Sequence, residues 1–151
     1  MKILCSICAR KGSKGLKNKS LKKFNGKPLI SHTIDQAKKS NIFTRIVCSS
    51  DSKEILKLAI KKKIDLTIRR KKTLSSDISP KKDAIEDLIF KSEKHFNENY
   101  DYIIDLDVSA PTRKIQDIKN CFKLIKKVNH PCNLVTLCES RKNPYFNMIT
   151  I

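Results

Sequence analysis

The alternation of short apolar runs with segments of helical periodicity is the feature of this sequence that most constrains its fold. Five apolar runs predict β-strands: Ile3–Cys8, Arg45–Ser49, Ile64–Ile68, Tyr102–Leu106 and Leu134–Cys138. Apolar residues at helical spacing predict four helices, which begin after Pro28, after Asp51, after Ser79-Pro80 and at Ile115, the last ending at Ile125. Asp51 is the predicted N-cap of the second helix, with Glu54 as the reciprocal acid. Strands and helices that alternate with short linkers predict a single α/β domain over residues 1–151, with a parallel sheet covered on both sides.

Polar and charged residues follow the predicted strands at the points where those strands end. They lie in the loops 10–19, 50–51, 69–70, 105–107 and 139–143. Because ligands of open parallel sheets bind beyond the carboxyl ends of the strands, these loops predict one binding site at that edge of the sheet.

The loop after the first strand, "ARKGSKGLKNK", is rich in cations, and no Asp or Glu precedes Asp35. The chain has 33 Lys and Arg against 15 Asp and Glu, and its charge of +18 favours nucleic acid, an anionic membrane or a phosphorylated small molecule as partner. The loop has neither the Walker A pattern nor G-x-G-x-x-G, but Gly12 and Gly15 can let backbone amides turn toward a triphosphate. The alternative is a solvated basic loop that binds nothing.

The six cysteines are predicted to be free thiols that pack in the protein. The opening apolar run is too short for a secretory signal and no stretch is long enough to span a membrane, so we expect a cytoplasmic protein without a membrane partner. Cys5 and Cys8 have C-x-x-C spacing, but residues three apart on a strand point to opposite faces. Zinc binding or redox chemistry is the alternative for this pair.

Several stretches, in order along the whole chain, carry a resemblance to a known family. "ARKGSKGLKNKSLKKFNGKPLISHTI" resembles the opening of the acylneuraminate cytidylyltransferases, the CMP-sialic acid synthetase family, whose pattern is A-R-x-x-S-K-G-x-x-x-K-N followed by G-K-P-L. "RIVCSSDSKEI" resembles the second strand and helix start of that family, and "RRKKTLSSD" resembles its R-P-x-x-L-x-x-D block with Lys71 in place of proline. "YDYIIDLDVSAPTR" and "RKNPYFNMI" are similar to the branch that acts on legionaminic acid and related bacterial nonulosonic acids.

This resemblance implies a Rossmann-like three-layer α/β/α fold of the nucleotide-diphospho-sugar transferase type. It implies that CTP and a nine-carbon α-keto acid sugar react to give the CMP-sugar and pyrophosphate, with Mg²⁺ as cofactor. Full-length relatives are expected to form homodimers. Because family members extend beyond residue 151, the resemblance also implies that this sequence lacks their usual C-terminal part.

The resemblance assigns Arg10 and Lys19 to the triphosphate as catalytic residues. The residues that it implies for nucleotide binding are Ala9, Arg10, Gly12, Ser13, Lys14, Gly15, Lys19 and Arg70. Arg70 matches the arginine near the cytosine base, although the adjacent Arg69 is an alternative register.

Asp105 and Asp107 are two residues apart on a predicted strand and therefore lie on the same face. Asp105, Asp107 and Arg113 are the residues implied for sugar binding, and Asp107 is also the candidate Mg²⁺ ligand. One carboxylate could instead cap the following turn, and Arg113 could meet the sugar carboxylate or pair with a nearby acid.

Two further functions stay open at this point: an inactive nucleotide-binding relative, and a small basic nucleic-acid-binding domain. Aromatic residues make up 6% of the sequence, and none lies within the basic loop, where it could stack on bases. We therefore predict CTP and a sugar as partners, and no nucleic acid.

Overall fold

A computed structural model describes residues 1–13, 15–76 and 78–137. The described strands are β1 (Ile3–Cys8), β2 (Lys23–Phe24), β3 (Lys27–Pro28), β4 (Arg45–Ser50), β5 (Leu66–Arg69) and β6 (Tyr102–Asp105). The helices are α1 (Leu29–Ser40), α2 (Lys53–Lys61), α3 (Lys81–Phe96) and α4 (Ile115–Ile125), with short 3₁₀ helices at Lys19–Leu21 and Lys72–Leu74.

The four longer strands form one parallel sheet in the order β5-β4-β1-β6. Cys5 of β1 is paired with Ile46 of β4 on one side and with Ile104 of β6 on the other. The strands β2 and β3 form a small antiparallel hairpin before α1. The predicted parallel sheet is therefore confirmed, and its two interior strands, β1 and β4, each have five buried residues out of six.

Alternate residues of β1 enter two hydrophobic cores, one on each face of the sheet. Cys5 and Ile7 pack with buried residues of α1 and α2, whereas Leu4 packs on the other face with Leu88 of α3. Helices thus cover both faces, and the predicted three-layer α/β/α arrangement is confirmed. Cys5 and Cys8 belong to opposite faces, as their spacing predicts.

Two predictions about single elements are wrong. Residues 134–137 of the predicted fifth strand have no regular secondary structure, and Cys138 lies outside the described residues. An apolar run alone does not make a strand, because its backbone groups also need a pairing partner. The N-cap of α2 is Ser52 rather than Asp51, and its hydroxyl accepts the amide of Ile55 at 3.4 Å.

The chain divides into two compact units, Met1–Lys119 and a second unit that begins at Asn120. The first unit contains the parallel sheet with α1, α2 and α3. The described part of the second unit is the end of α4 followed by a segment without regular secondary structure to residue 137. Within the described residues, no helix combines the length and apolar character that crossing a membrane requires.

Candidate functional site

The loop after β1 is held against the end of β4 by backbone hydrogen bonds. The amide of Ala9 donates to the carbonyl of Ser49 at 3.0 Å, and the amide of Lys11 donates to Asp51 Oδ1 at 2.7 Å. Asp51 therefore braces the basic loop instead of capping α2. These contacts bring the first two predicted loops together at the carboxyl edge of the sheet.

A cavity of about 580 Å³ opens at this edge. Its lining combines the basic loop with the ends of β5 and β6 and the start of α3. The residues that line it are Cys8, Ala9, Arg10, Ser13, Gly15, Leu16, Lys19, Ser20, Arg70, Leu74, Ser76, Ser79, Pro80, Lys81, Ala84, Asp107, Val108 and Ser109. The structure thus brings together seven of the predicted site residues: Ala9, Arg10, Ser13, Gly15, Lys19, Arg70 and Asp107.

The other four predicted site residues are placed differently. Gly12, Asp105 and Arg113 do not line the cavity, and Lys14 lies outside the described residues. Neither Gly12 nor Gly15 has a positive φ, and a Cβ at either position would meet no atom within 4 Å. Among the described residues of this loop, Asn18 has a left-handed backbone, at φ 55°. The structure gives no conformational reason for glycine at positions 12 and 15.

Arg70 projects into the cavity wall, whereas Arg69 is exposed at the end of β5. Arg70 is only 7% exposed, and it donates from Nε to Ser49 Oγ at 3.1 Å and from Nη2 to the Ser49 carbonyl at 2.9 Å. None of the ion pairs in the described part of the chain includes Arg70. A buried cation with neutral partners is typical of a site that receives an anion or a polar ligand.

Asp105 and Asp107, the acidic pair, converge on one cation that the sequence did not indicate. The ammonium of Lys81 lies 2.5 Å from Asp105 Oδ2 and 3.1 Å from Asp107 Oδ2. The second oxygen of Asp105 accepts the hydroxyl of Ser6 at 2.7 Å, and that of Asp107 accepts the amide of Ser109 at 2.6 Å. The predicted common orientation of the two carboxylates is confirmed, and Asp107 also caps the turn that follows it.

These contacts keep the carboxylate of Asp107 charged. Burial on its own would raise the pKa of Asp107, but the amide of Ser109 and the ammonium of Lys81 outweigh it and lower that pKa from 3.8 to about 2. Burial would likewise lower the pKa of Lys81, but its contacts with Asp105 and Asp107 raise it. Nearby, burial raises the pKa of the Cys8 thiol to about 11, so this cavity residue is a poor nucleophile at neutral pH.

Arg113 braces the loop after β6. Its Nη2 donates to the backbone carbonyl of Asp107 at 2.8 Å, and its Nη1 donates to Gln36 Oε1 at 3.1 Å. The amide nitrogen of Gln36 in turn donates to the carbonyls of Pro111 and Arg113. None of the described ion pairs includes Arg113, and its contact with Asp107 is to the backbone oxygen, so pairing with a nearby acid stays a prediction. A contact between Arg113 and a sugar stays a prediction.

The donor set of the acidic pair fits Mg²⁺. This ion prefers oxygen ligands and is usually held by one or two carboxylates together with substrate phosphates. No group of three or more His, Cys, Asp or Glu that could hold a metal occurs among the described residues. The acidic pair therefore suits a metal that arrives with phosphates better than one held by the protein alone.

Open parallel α/β sheets bind their ligands beyond the carboxyl ends of the strands, and the cavity lies at this edge. The cations that line it are suited to phosphate groups. Comparison with known proteins identifies the family to which the chain belongs. The family model described as Cytidylyltransferase matches residues 4–145. The chain belongs to this cytidylyltransferase family, and the resemblance stated from its motifs is confirmed.

Two relatives illustrate the similarity. The chain is 44% identical over 149 residues to the post-translational flagellin modification protein B of Campylobacter coli, covering 99% of this chain and 63% of that protein. It is 41% identical to the CMP-N,N'-diacetyllegionaminic acid synthase of Campylobacter jejuni, with the same coverage. The chain thus spans about 63% of the length of these relatives.

Among solved structures, CMP:2-keto-3-deoxy-manno-octonic acid synthetase complexed with CTP matches with a TM-score of 0.66. The two sequences are 21% identical, and the match covers 84% of this chain and 48% of that one. This likeness confirms the fold.

Proposed function

We propose that the protein containing this chain transfers the cytidylyl group of CTP to a nine-carbon α-keto acid sugar of the legionaminic or sialic type. The observation that carries the proposal is the cavity that Arg10, Lys19, Arg70 and Asp107 share at the carboxyl edge of the sheet. The names of the relatives, which include a diacetyllegionaminic acid synthase and pseudaminic and N-acylneuraminate cytidylyltransferases, support this class of sugar.

The reaction is a displacement at the α-phosphorus of CTP. The anomeric hydroxyl of the sugar attacks this phosphorus, a new P–O bond forms, and the bond to the bridging oxygen of pyrophosphate breaks. The hydroxyl proton passes to solvent as the new bond forms. Catalysis of such a step depends on positioning and on neutralising charge.

The cavity residues match these two requirements. Arg10 and Lys19 are proposed to hold the triphosphate and to stabilise the charge that develops on pyrophosphate. Arg70, fixed by its two hydrogen bonds to Ser49, is proposed to recognise the cytosine base. Asp107, with Asp105, would hold Mg²⁺, and the ion when bound would neutralise phosphate charge.

The test is pyrophosphate release from CTP with a panel of nonulosonic acids, with UTP and ATP as matched controls. We expect release with CTP and at least one sugar, and strong discrimination against the other nucleotides. CTP that protects the protein from unfolding without any release of pyrophosphate would identify an inactive relative. Binding of nucleic acid that weakens about 10³–10⁵-fold between 50 and 200 mM salt, without binding of CTP, would contradict the proposal.

A further inference from the structure

Lys81, the first residue of α3, contacts both carboxylates of the acidic pair while lining the cavity. Ser6 and Ser109 each occupy one oxygen of this pair, Oδ1 of Asp105 and Oδ1 of Asp107. The Oδ2 atoms are the ones that Lys81 contacts, at 2.5 Å and 3.1 Å. The oxygens best placed to serve a metal ion are therefore already taken by an ammonium group.

A divalent ion bound by the acidic pair would compete with the ammonium of Lys81 for the two Oδ2 atoms. Mg²⁺ binds carboxylate oxygens at about 2.0–2.1 Å, so an ion on the two Oδ2 atoms would sit beside the ammonium. Two cations at that separation repel each other strongly where the site is partly buried. Lysine can withdraw, because its charge is carried on a flexible four-carbon stem.

We propose that Lys81 is an internal counter-ion that occupies the cation position of the acidic pair in the nucleotide-free protein and must leave it before a metal binds. Metal binding by the free protein is then weak and becomes coupled to the nucleotide, whose phosphates offer a new partner to the displaced ammonium. This role rests on the proposed function, since it takes CTP to be the anion that enters the cavity. Lys81 is in these terms a positioning residue for the metal.

The test is a titration of the nucleotide-free protein with Mn²⁺ alone, in which free Mn²⁺ is followed by electron paramagnetic resonance. Lys81→Met removes the competing charge and keeps much of the stem. We expect Mn²⁺ to bind about 2-fold to 30-fold more tightly, the combined effect of two partly exposed ion pairs.

Lys82→Met is the matched control. Its side chain is 80% exposed and pairs with Glu86 at 3.5 Å, away from the acidic pair. The affinity for Mn²⁺ should match that of the unmodified protein. Lys81→Arg restores a cation and should return the affinity to the original value, and Lys81→Gln replaces the methionine variant if thermal unfolding shows that the latter does not fold.

An affinity for Mn²⁺ that is unchanged or weaker in folded Lys81→Met would overturn the counter-ion role, as would the absence of Mn²⁺ binding in every variant. CTP binding is measured on separate aliquots of the same variants by calorimetric titration, both with and without Mg²⁺. If the unmodified protein binds CTP while Mn²⁺ affinity does not respond to Lys81, the counter-ion role fails and the proposed function stands. If CTP does not bind at all, the proposed function fails independently of the Mn²⁺ result.

Discussion

Replacing Arg70 by methionine separates a ligand-binding role for this residue from a structural one. Arg70 is 7% exposed, and its guanidinium donates to the hydroxyl and the carbonyl of Ser49. Each hydrogen bond from a charged donor contributes about 1.5–3 kcal/mol, whereas burying a cation without a carboxylate costs several kcal/mol. Because these two effects oppose each other, and methionine fills much of the same volume, we expect the free energy of unfolding to change by less than about 1.5 kcal/mol.

The expected effect on CTP binding is much larger. Truncating one partner of a buried, charged hydrogen-bonding contact costs about 2–4 kcal/mol, which weakens binding roughly 30-fold to 1,000-fold. The melting temperature without ligand should move by no more than about 6 °C, since 1 kcal/mol corresponds to about 2–4 °C in a chain of this size. Calorimetric titration with CTP and thermal unfolding with and without CTP measure the two quantities separately.

Arg69→Met is the control for this experiment, because Arg69 is adjacent in sequence but exposed. It should leave both CTP affinity and melting temperature unchanged. A fall in melting temperature of more than about 10 °C for Arg70→Met, with CTP affinity retained, would show that Arg70 is structural. A loss of CTP affinity in Arg69→Met alone would show that the alternative register is the correct one.

Three further substitutions test the cavity and the core. Arg10→Ala should lower the rate of pyrophosphate release about 10²–10³-fold if the guanidinium stabilises developing charge, with Lys11→Ala as an exposed control in the same loop; equal rates for the two variants would exclude that role. Because the pKa of Asp107 is lowered from 3.8 to about 2, its carboxylate stabilises the fold above pH 4, and this contribution is lost as the pH falls toward 2. The melting temperature should therefore fall less steeply over this range in Asp107→Asn than in the unmodified protein, and parallel curves would contradict the contacts described. Leu88→Ala should destabilise the protein by about 2–5 kcal/mol in chemical denaturation because Leu88 is fully buried, whereas Phe90→Ala, at an exposed position of the same helix, should have little effect; similar losses would contradict the orientation of α3.

The sequence predicts the four strands of the parallel sheet because each contains a short apolar run. The bounds of β1 agree with the prediction, whereas β5 begins at Leu66 rather than at Ile64. Ile64 lies before the strand and packs against the hydrophobic core that contains Cys5 and Ile7. The carboxylate of Asp65, also before the strand, accepts the amide of Ile46 at 2.8 Å. Hydrophobicity reports burial, and burial does not require a residue to lie in a strand.

Some site residues could be located from the predicted strands, whereas Lys81 could not. Arg10 and Asp107 each follow the end of a strand by two residues, so the topology of a parallel sheet is enough to bring them to one edge. Lys19 lies further along the loop after β1, in a short 3₁₀ helix. Lys81 is 26 residues from Asp107 in sequence, and it reaches the acidic pair only because the first turn of α3 passes the end of β6. A lysine at a helix start usually faces solvent, so no local pattern distinguishes Lys81 from Lys82.

The position of the cations supports a mononucleotide as ligand more strongly than their number does. Much of the charge of +18 lies on exposed side chains or in surface ion pairs such as that of Lys62 with Asp35. The cations of the candidate site instead surround a cavity of about 580 Å³, within the roughly 300–1,000 Å³ of typical small-molecule sites. Tight binding of nucleic acid depends on neutralising many successive phosphates, whereas a cavity of this size suits the phosphates of one nucleotide. An acidic pair beside the cavity would repel a phosphate unless a cation lay between them. Lys81 supplies that cation in the structure, and under the two proposals above a metal would supply it once the nucleotide is bound.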